Sequence, residues 1–399
     1  MYTKENYKEL LKKIRNKFQQ KQIIKVVFLC NEINKWKNEL LYKEFERSEN
    51  FEPLVVVCPR YRTHAQTDLT LPDINEQYNY FEEKGYNVEY GYRNGEYINL
   101  REFNPDMVFY TQLVDVEEYH SPAIISEFAL TFYTPYGYQL TDYTKNYIEK
   151  FHKLLFCYFC EDELNIKRFE DYSLLNSINC IPLGYLKNDE YHVKNNIDLN
   201  KYWKNPNGYK VIYSPHQTID DSAGYKFSTF MQNKDFILNL AKNYPETTWI
   251  FRPHPMLKYI LERENYMSAS EIEQYWHEWE KIGNIYMGAD YFDVFKTSDL
   301  MITDCASFLA EYLPSKKPLI RLCRNDSMPL NQLGEKIISE YYCTYSNEEL
   351  ENAFKMLVID KNDPKKEMRE KLAEEFFDYN EPVAAKIYNH IHNLISKDY

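Results

Sequence analysis

Apolar and polar positions along the chain follow two successive rhythms. The first is helical: between Tyr2 and Gln22 the apolar residues Tyr7, Leu10, Leu11, Ile14 and Phe18 recur three and four apart, while Lys4, Lys8, Lys12, Lys13, Arg15, Lys17 and Lys21 fill the remaining positions. This predicts a basic amphipathic helix over 1–22. The second rhythm is one of short apolar runs separated by amphipathic stretches. Runs at 23–30, 54–58, 87–90, 107–110, 130–134, 154–159 and 179–183 read as strands, and 35–46, 75–84, 144–153 and 163–172 as helices. Alternation of this kind predicts a parallel sheet with helices on both faces, so residues 23–187 are expected to form a doubly wound, Rossmann-like domain.

A polar stretch at 188–209, ending in Asn-Pro-Asn-Gly, reads as a linker. A second alternating series follows, with strands at 210–213, 248–251, 284–287, 300–302, 318–322 and 342–345 and helices at 236–243, 270–281, 307–313 and 348–358. Residues 209–363 thus predict a second doubly wound domain. Helices at 365–377 and 383–396 are long enough for the segment 364–399 to cross back to the first domain. The expected fold class is α/β, two Rossmann-like domains in tandem, with a cleft between the carboxyl ends of their strands where a ligand binds.

Charge narrows the partners. The formal net charge of -13 argues against broad nucleic-acid binding, which relies on clustered Lys and Arg. The first 22 residues are a local exception, with seven basic residues against Glu5 and Glu9. That face suits an anionic membrane surface, but amphipathic helices more often cover a core, which favours a helix packed on the first domain with a solvated outer side. No apolar run is long enough to span a bilayer and no apolar signal region opens the chain, so a cytoplasmic protein is expected, peripheral to the inner face of the membrane if the helix binds lipid. The eight cysteines lie mostly in or beside apolar runs and read as reduced, core residues. Cys157 and Cys160 form the one C-x-x-C, without the second ligand pair that zinc needs. Glu161, Asp162 and Glu163 read as the acidic start of a helix. His390 and His392 lie two apart in a helical pattern and would not face each other. The 38 tyrosines and 23 phenylalanines are read mainly as core.

Three polar clusters fall at the carboxyl ends of second-domain strands: Ser214-Pro215-His216, Arg252-Pro253-His254-Pro255 and Thr303-Asp304-Cys305-Ala306-Ser307. Arg supplies a planar fork for phosphate oxygens, His a donor or a proton near neutral pH, and the turn's hydroxyls and amides neutral donors. Converging on one sheet edge, they describe a diphosphate site.

The Arg-Pro-His-Pro at 252–255, followed about fifty residues later by Ser-Asp-x-x-Ile-Thr-Asp-x-x-Ser-x-x-x-acid at 298–311 and Lys-Pro-x-Ile at 317–320, resembles the CDP-glycerol glycerophosphotransferase family of teichoic acid and capsule polymerases. The resemblance covers residues 209–322 well and the first domain only in outline. It implies the GT-B architecture, with an acceptor domain at 23–187 and a CDP-polyol donor domain at 209–363. It also implies transfer of a polyol phosphate, glycerol phosphate above all, from a CDP-linked donor to a hydroxyl of a cell-wall or capsule polymer with release of CMP. Carried onto this sequence, Arg252 and His254 would contact phosphate. Thr303, Asp304 and Ser307 would form the donor-phosphate turn; Ser214, from the first polar cluster, is expected to bind the donor on its position alone. Glu311, where the family usually has Asp, would bind the ribose or support the turn.

Two departures follow from the same comparison. Ala306 replaces the first of two adjacent serines. Tyr136-Gly137 is the nearest counterpart of a His-Gly whose His is the family's presumed general base, and a phenol with a pKa of about 10 is a poor base at neutral pH. His254, His216 and Tyr136 are therefore the candidates for chemistry at the reacting groups. With no D-x-D and with Arg252, His254 and a helix N-terminus available, the diphosphate is expected to be held without an obligatory protein-bound metal or other cofactor, a donor-borne magnesium ion remaining compatible. The rival readings are a GT-B glycosyltransferase using a nucleotide sugar and a non-catalytic binding subunit of a cell-surface polymer assembly.

Overall fold

The computed structural model describes residues 4–59, 74–112, 116–141, 154–172, 177–194, 196–220, 225–288 and 290–395. The helix expected at 144–153 lies outside them. The chain divides into two compact units, one of Met1–Gly137, Tyr143–His192 and Asp378–Tyr399, the other of Tyr138–Asp142 and Val193–Phe377.

In the first unit the apolar runs become β1 (Ile24–Cys30), β2 (Phe51–Val57), β3 (Val88–Tyr90), β4 (Met107–Tyr110), β5 (Leu130–Tyr133), β6 (Cys157–Cys160) and β7 (Cys180–Pro182). They form one parallel sheet of order β3-β2-β1-β4-β5-β6-β7. Runs this uniformly apolar are needed because both faces are covered. Val26, Phe28 and Cys30 enter the core on one face, and Val27 and Leu29 that on the other. Four of the phenylalanines form a stacked ladder across neighbouring strands: Phe28 on Phe109 at 5.0 Å, Phe109 on Phe132 at 4.9 Å and Phe132 on Phe159 at 5.9 Å.

The N-terminal helix (Lys4–Phe18) buries Tyr7, Ile14 and Phe18 in this core, and the Tyr7 hydroxyl donates to the carbonyl of Phe156 at 3.0 Å. Lys17 near its end and Lys21 just beyond it form ion pairs with the buried Asp106. The single helix expected at 35–46 is a short 3-10 turn (Ile33–Lys35) and a separate helix (Glu39–Glu46). Trp36, extended at φ -69° and ψ 113°, breaks the run, because its indole is buried edge-on against Phe28 and Phe81. Packing of one large side chain overrides local helical propensity here.

The expected linker begins later than its polarity suggested. Leu186–His192 is a 3-10 segment with Leu186, Lys187, Asn188 and Asp189 buried. The Asp189 carboxylate accepts from the amides of Val383 and Ala384 at 2.7 and 2.6 Å, capping the last helix (Val383–Ile395).

The second unit's strands are β8 (Tyr209–Ser214), β9 (Thr247–Phe251), β10 (Asn284–Ile285), β11 (Leu300–Thr303), β12 (Leu319–Leu322) and β13 (Tyr342–Thr344). All neighbours pair in parallel, in the order β10-β9-β8-β11-β12-β13. The helix Lys366–Phe376 stays with this unit, so the return to the first begins at Asp378 rather than at 364. The buried Arg369 fixes it, forking onto the Asp363 carboxylate and donating through Nε to the Lys316 carbonyl at 3.1 Å.

Candidate functional site

Parallel pairing of β9, β8 and β11 brings the ends of all three polar clusters to adjacent places on one sheet edge. Side-chain hydroxyls lace the three ends together. The Ser214 hydroxyl donates to the Arg252 carbonyl at 2.7 Å, the Thr303 hydroxyl donates to the Ser214 carbonyl at 2.6 Å, and the Cys305 amide donates to the Thr303 hydroxyl at 3.0 Å. The His254 amide reaches the Pro215 carbonyl at 2.9 Å. Ser214 and Thr303 are thus fully buried braces, and their hydroxyl protons are committed to the backbone.

Asp304 is buried as well. Its Oδ1 accepts from the His216 amide at 2.5 Å, and its Oδ2 from the amide and hydroxyl of Thr229 at 2.6 and 3.0 Å. Burial, only partly offset by these bonds, pushes the carboxyl up to about 6. In this arrangement Asp304 holds the His216 loop against the start of helix Phe230–Asn243. The side chains of Ser214, Thr303 and Asp304, three of the expected donor-binding residues, are thus hydrogen-bonded within the protein.

Arg252 is one of those neighbours. Its side chain is 93% withdrawn from solvent, with relative exposure of 7%, and its Nε has no hydrogen-bond partner. Its guanidinium lies over the Tyr291 ring at 4.2 Å and the Phe308 ring at 5.0 Å from the centroids. The Tyr291 hydroxyl donates to the Glu311 carboxylate, which is buried on helix Ala306–Tyr312. Burial lowers the Arg252 pKa from its ordinary value, with Tyr291 and Glu311 among the groups opposing the shift. Glu311 therefore supports the plate under Arg252. Tyr291 and Phe308 were not singled out by the sequence; the only available sign was an aromatic pair, Tyr291-Phe292, opening a short helix.

His216 and His254 meet with ring centroids 5.0 Å apart, nearly edge to face. The Thr218 amide donates to His216 Nδ1 at 3.3 Å, with the Thr218 hydroxyl 2.8 Å from the same nitrogen, and the Met256 amide donates to His254 Nδ1 at 3.1 Å. Both Nδ1 atoms are acceptors, which puts the remaining proton of each neutral ring on Nε2. Burial holds His216 down to about 4. Burial, then His216 and Arg252, hold His254 well below its ordinary value. At neutral pH the edge thus presents two uncharged imidazole donors beside one guanidinium. Ser307 is half-buried, its hydroxyl 3.5 Å from the Cys305 thiol, which burial pushes up to about 11.

Tyr136 belongs to the first unit. Its ring is partly exposed and lies 5.1 Å from Lys35 Nζ, and its carbonyl accepts from the buried Tyr185 hydroxyl at 2.9 Å. Elsewhere the acidic run has local work: Asp162 caps helix Glu163–Tyr172 through the amides of Leu164 and Asn165, and Glu161 accepts from Tyr158 and Asn165. Cys157 and Cys160 are free, buried thiols raised well above their ordinary value by burial. His390 packs on Phe159 and His392 on Tyr388. Among the described residues no helix is long and apolar enough to cross a membrane.

Solved structures similar to this chain are two-unit α/β enzymes of the GT-B kind. One is a UDP-N-acetylglucosamine 2-epimerase, with TM-score 0.62 and 10% identity over 95% of this chain and 98% of that one. Another is the wall teichoic acid polymerase TagF, with TM-score 0.60 and 13% identity over 98% and 95%. A third is S. aureus MnaA solved with UDP, with TM-score 0.58 and 14% identity over 94% and 98%. At such identities the likeness is one of fold. No curated protein matches the chain significantly. The model of the CDP-glycerol:poly(glycerophosphate) glycerophosphotransferase family matches residues 167–393, more than half of the chain, and spans the whole braced edge with Arg252, His216 and His254. The chain belongs to that family and is a transferase of its kind.

Proposed function

We propose that this protein transfers glycerol phosphate from CDP-glycerol to a hydroxyl of a cell-wall or capsule polymer, with the donor diphosphate held at the carboxyl edge of β9, β8 and β11. The observation that carries the reading is Arg252: a buried guanidinium, stacked on two rings, with a free Nε and two neutral imidazoles beside it. A buried cation without a carboxylate fork is costly unless an anion completes it, and a diphosphate does so. The acceptor oxygen attacks the β-phosphorus, the bond from that phosphorus to the bridging oxygen breaks, and CMP leaves with the electron pair. Charge developing on the leaving phosphate is met by Arg252, and the Nε2–H groups of His216 and His254 donate to phosphate oxygens. The acceptor's proton is lost late in a loose transition state, so a strong base is not demanded, and Tyr136 is assigned to the acceptor.

The residue set supplies the positive charge that a protein-bound metal would otherwise bring, and turnover is expected to persist in a chelator unless the donor itself carries magnesium. The basic N-terminal helix, with its apolar stripe buried, is assigned to the anionic inner surface of the cell membrane.

The test is CMP release from CDP-glycerol in the presence of a glycerol phosphate primer. Arg252→Ala and His254→Ala are each expected to lower kcat/KM by about a hundredfold, the scale of losing one preorganised donor. Turnover indifferent to His254→Ala, or seen only with a nucleotide sugar, would overturn the reading.

A further inference from the structure

His216 is held at the sheet edge by residues remote from it in sequence. Its Nδ1 accepts from the Thr218 amide at 3.3 Å and lies 2.8 Å from the Thr218 hydroxyl. Thr218 is in turn stapled to a second arm of chain: its hydroxyl accepts from the Phe227 amide at 3.1 Å, and its carbonyl from the Ser228 amide at 3.0 Å. The Phe227 ring stands edge-on to His216 at 5.8 Å. The placing of the proton on His216 Nε2 therefore depends on where Thr218 sits, and Thr218 sits where the second arm puts it.

Two side chains tie these arms to the sheet. Asp304, past β11, accepts from the amides of His216 and Thr229. Arg324, past β12, takes two further points. Its Nη1 donates to the Ile219 carbonyl at 3.1 Å and to the Ser228 carbonyl at 2.6 Å, across 105 and 96 residues of chain. Its Nε and Nη2 fork onto the Asp326 carboxylate at 2.6 and 3.2 Å, and Asp326 reaches the second arm again through Lys226 at 2.8 Å. The planar guanidinium suits this task because its donors point in fixed directions: the carboxylate orients one edge while the remaining nitrogen bridges two carbonyls. The side chain is 12% exposed, so water competes little for those bonds. Ile219 follows Thr218 and Ser228 follows Phe227, so Arg324 joins the two arms immediately beside their staple.

We propose that Arg324 is a positioning residue for the transfer reaction: by joining Ile219 to Ser228 it keeps Thr218 on His216 Nδ1, and so keeps His216 an uncharged Nε2–H donor. What His216 does for the diphosphate rests on the reaction proposed above, whereas its being held by Arg324 does not. The groups facing His216 are the His254 ring at 5.0 Å, the Tyr225 ring at 6.5 Å and the Asp304 carboxylate at its amide, with Arg252 beside His254. Burial holds the imidazole down to about 4. Arms released from Arg324 would let water reach the ring, and its pKa would rise toward the ordinary value of about 6.5.

The experiment is an NMR titration of the full chain labelled at histidine Cε1, with His216→Gln assigning the signal, alongside CMP release from CDP-glycerol. In the wild type the His216 signal is expected to stay level from about pH 8 to about pH 5.5. In Arg324→Ala its midpoint is expected to rise from about 4 to above about 5, and kcat to fall about tenfold, as a misplaced donor costs. Arg324→Lys should recover most of both, since an ammonium can still donate to the two carbonyls. Asp326→Asn frees the fork without emptying the place of Arg324, and is expected to move the midpoint in the same direction by less. A His216 signal still level in Arg324→Ala or, where that variant does not fold, in Asp326→Asn overturns the proposal, even if turnover falls. A raised midpoint in a protein that releases no CMP would overturn the donor reading and leave the positioning of His216 standing.

Discussion

At the scale of single residues, the site is governed by what each polar atom already holds. The Tyr291 hydroxyl donates to the buried Glu311 carboxylate, while its ring carries Arg252. Tyr291→Phe keeps the ring and removes that donor from a buried carboxylate, so it is expected to cost about 1–3 kcal/mol in urea unfolding. An unaltered midpoint would show that Glu311 is satisfied elsewhere. His216 gives a pH signature. Its folded pKa is depressed from 6.5 to about 4, so its contribution to stability is full above about pH 6.5 and is lost as pH falls through about 4. The stability difference between wild type and His216→Gln should therefore shrink on acidification from pH 7 to 4, and parallel curves would contradict the burial of the ring. Arg252 and His254 were legible in the sequence because Arg-Pro-His-Pro is compact and follows an apolar run. The duties of Ser214, Thr303 and Asp304 were not, since a hydroxyl's direction is decided by the strand beside it and not by its own neighbours in sequence.

At the scale of elements, the last helix shows how a short polar segment anchors a distant one. Asp189 caps Val383–Ile395 through two amides, and burial raises its carboxyl to about 7. Asp189→Ala is expected to destabilise the protein by about 1–2 kcal/mol, the worth of a helix cap, and to speed amide exchange across that helix. Unchanged exchange there would mean that apolar packing by Val383, Ala384, Ile387 and Ile391 suffices. Strand existence was plain from the sequence because parallel strands covered on both faces read as unbroken apolar runs. The break at Trp36 and the buried end of the expected linker were hidden, as both depend on partners more than 40 and 190 residues away respectively in the chain, Phe81 and Val383.

For the whole molecule, a net charge of -13 coexists with a basic N-terminal helix whose apolar stripe is already used. Lys17 and Lys21 are engaged by Asp106, which leaves Lys12 and Lys13 as its exposed cations on the described face. The full chain is expected to co-sediment with vesicles rich in anionic lipid at low salt and to dissociate as salt rises, each surface lysine contributing about 1 kcal/mol. Lys12→Glu with Lys13→Glu should abolish the binding. Equal binding to neutral vesicles would make the attachment apolar and contradict the electrostatic assignment.

The sequence by itself determined the alternation of strands and helices, the tandem α/β plan and the motif that carries the family, because periodicity and a contiguous phosphate-binding pattern are local properties. Tertiary structure alone decided which polar side chains are tied to the backbone and which are left at the sheet edge. The strand order 3-2-1-4-5-6 sets Arg252 and Thr303 beside Ser214 across 38 and 89 residues of chain and turns Thr303 inward. It also brings Asn38 to Thr134 and Lys35 to Tyr136 at the other sheet. Those juxtapositions arise from parallel pairing between remote segments, a long-range property that no window of sequence contains.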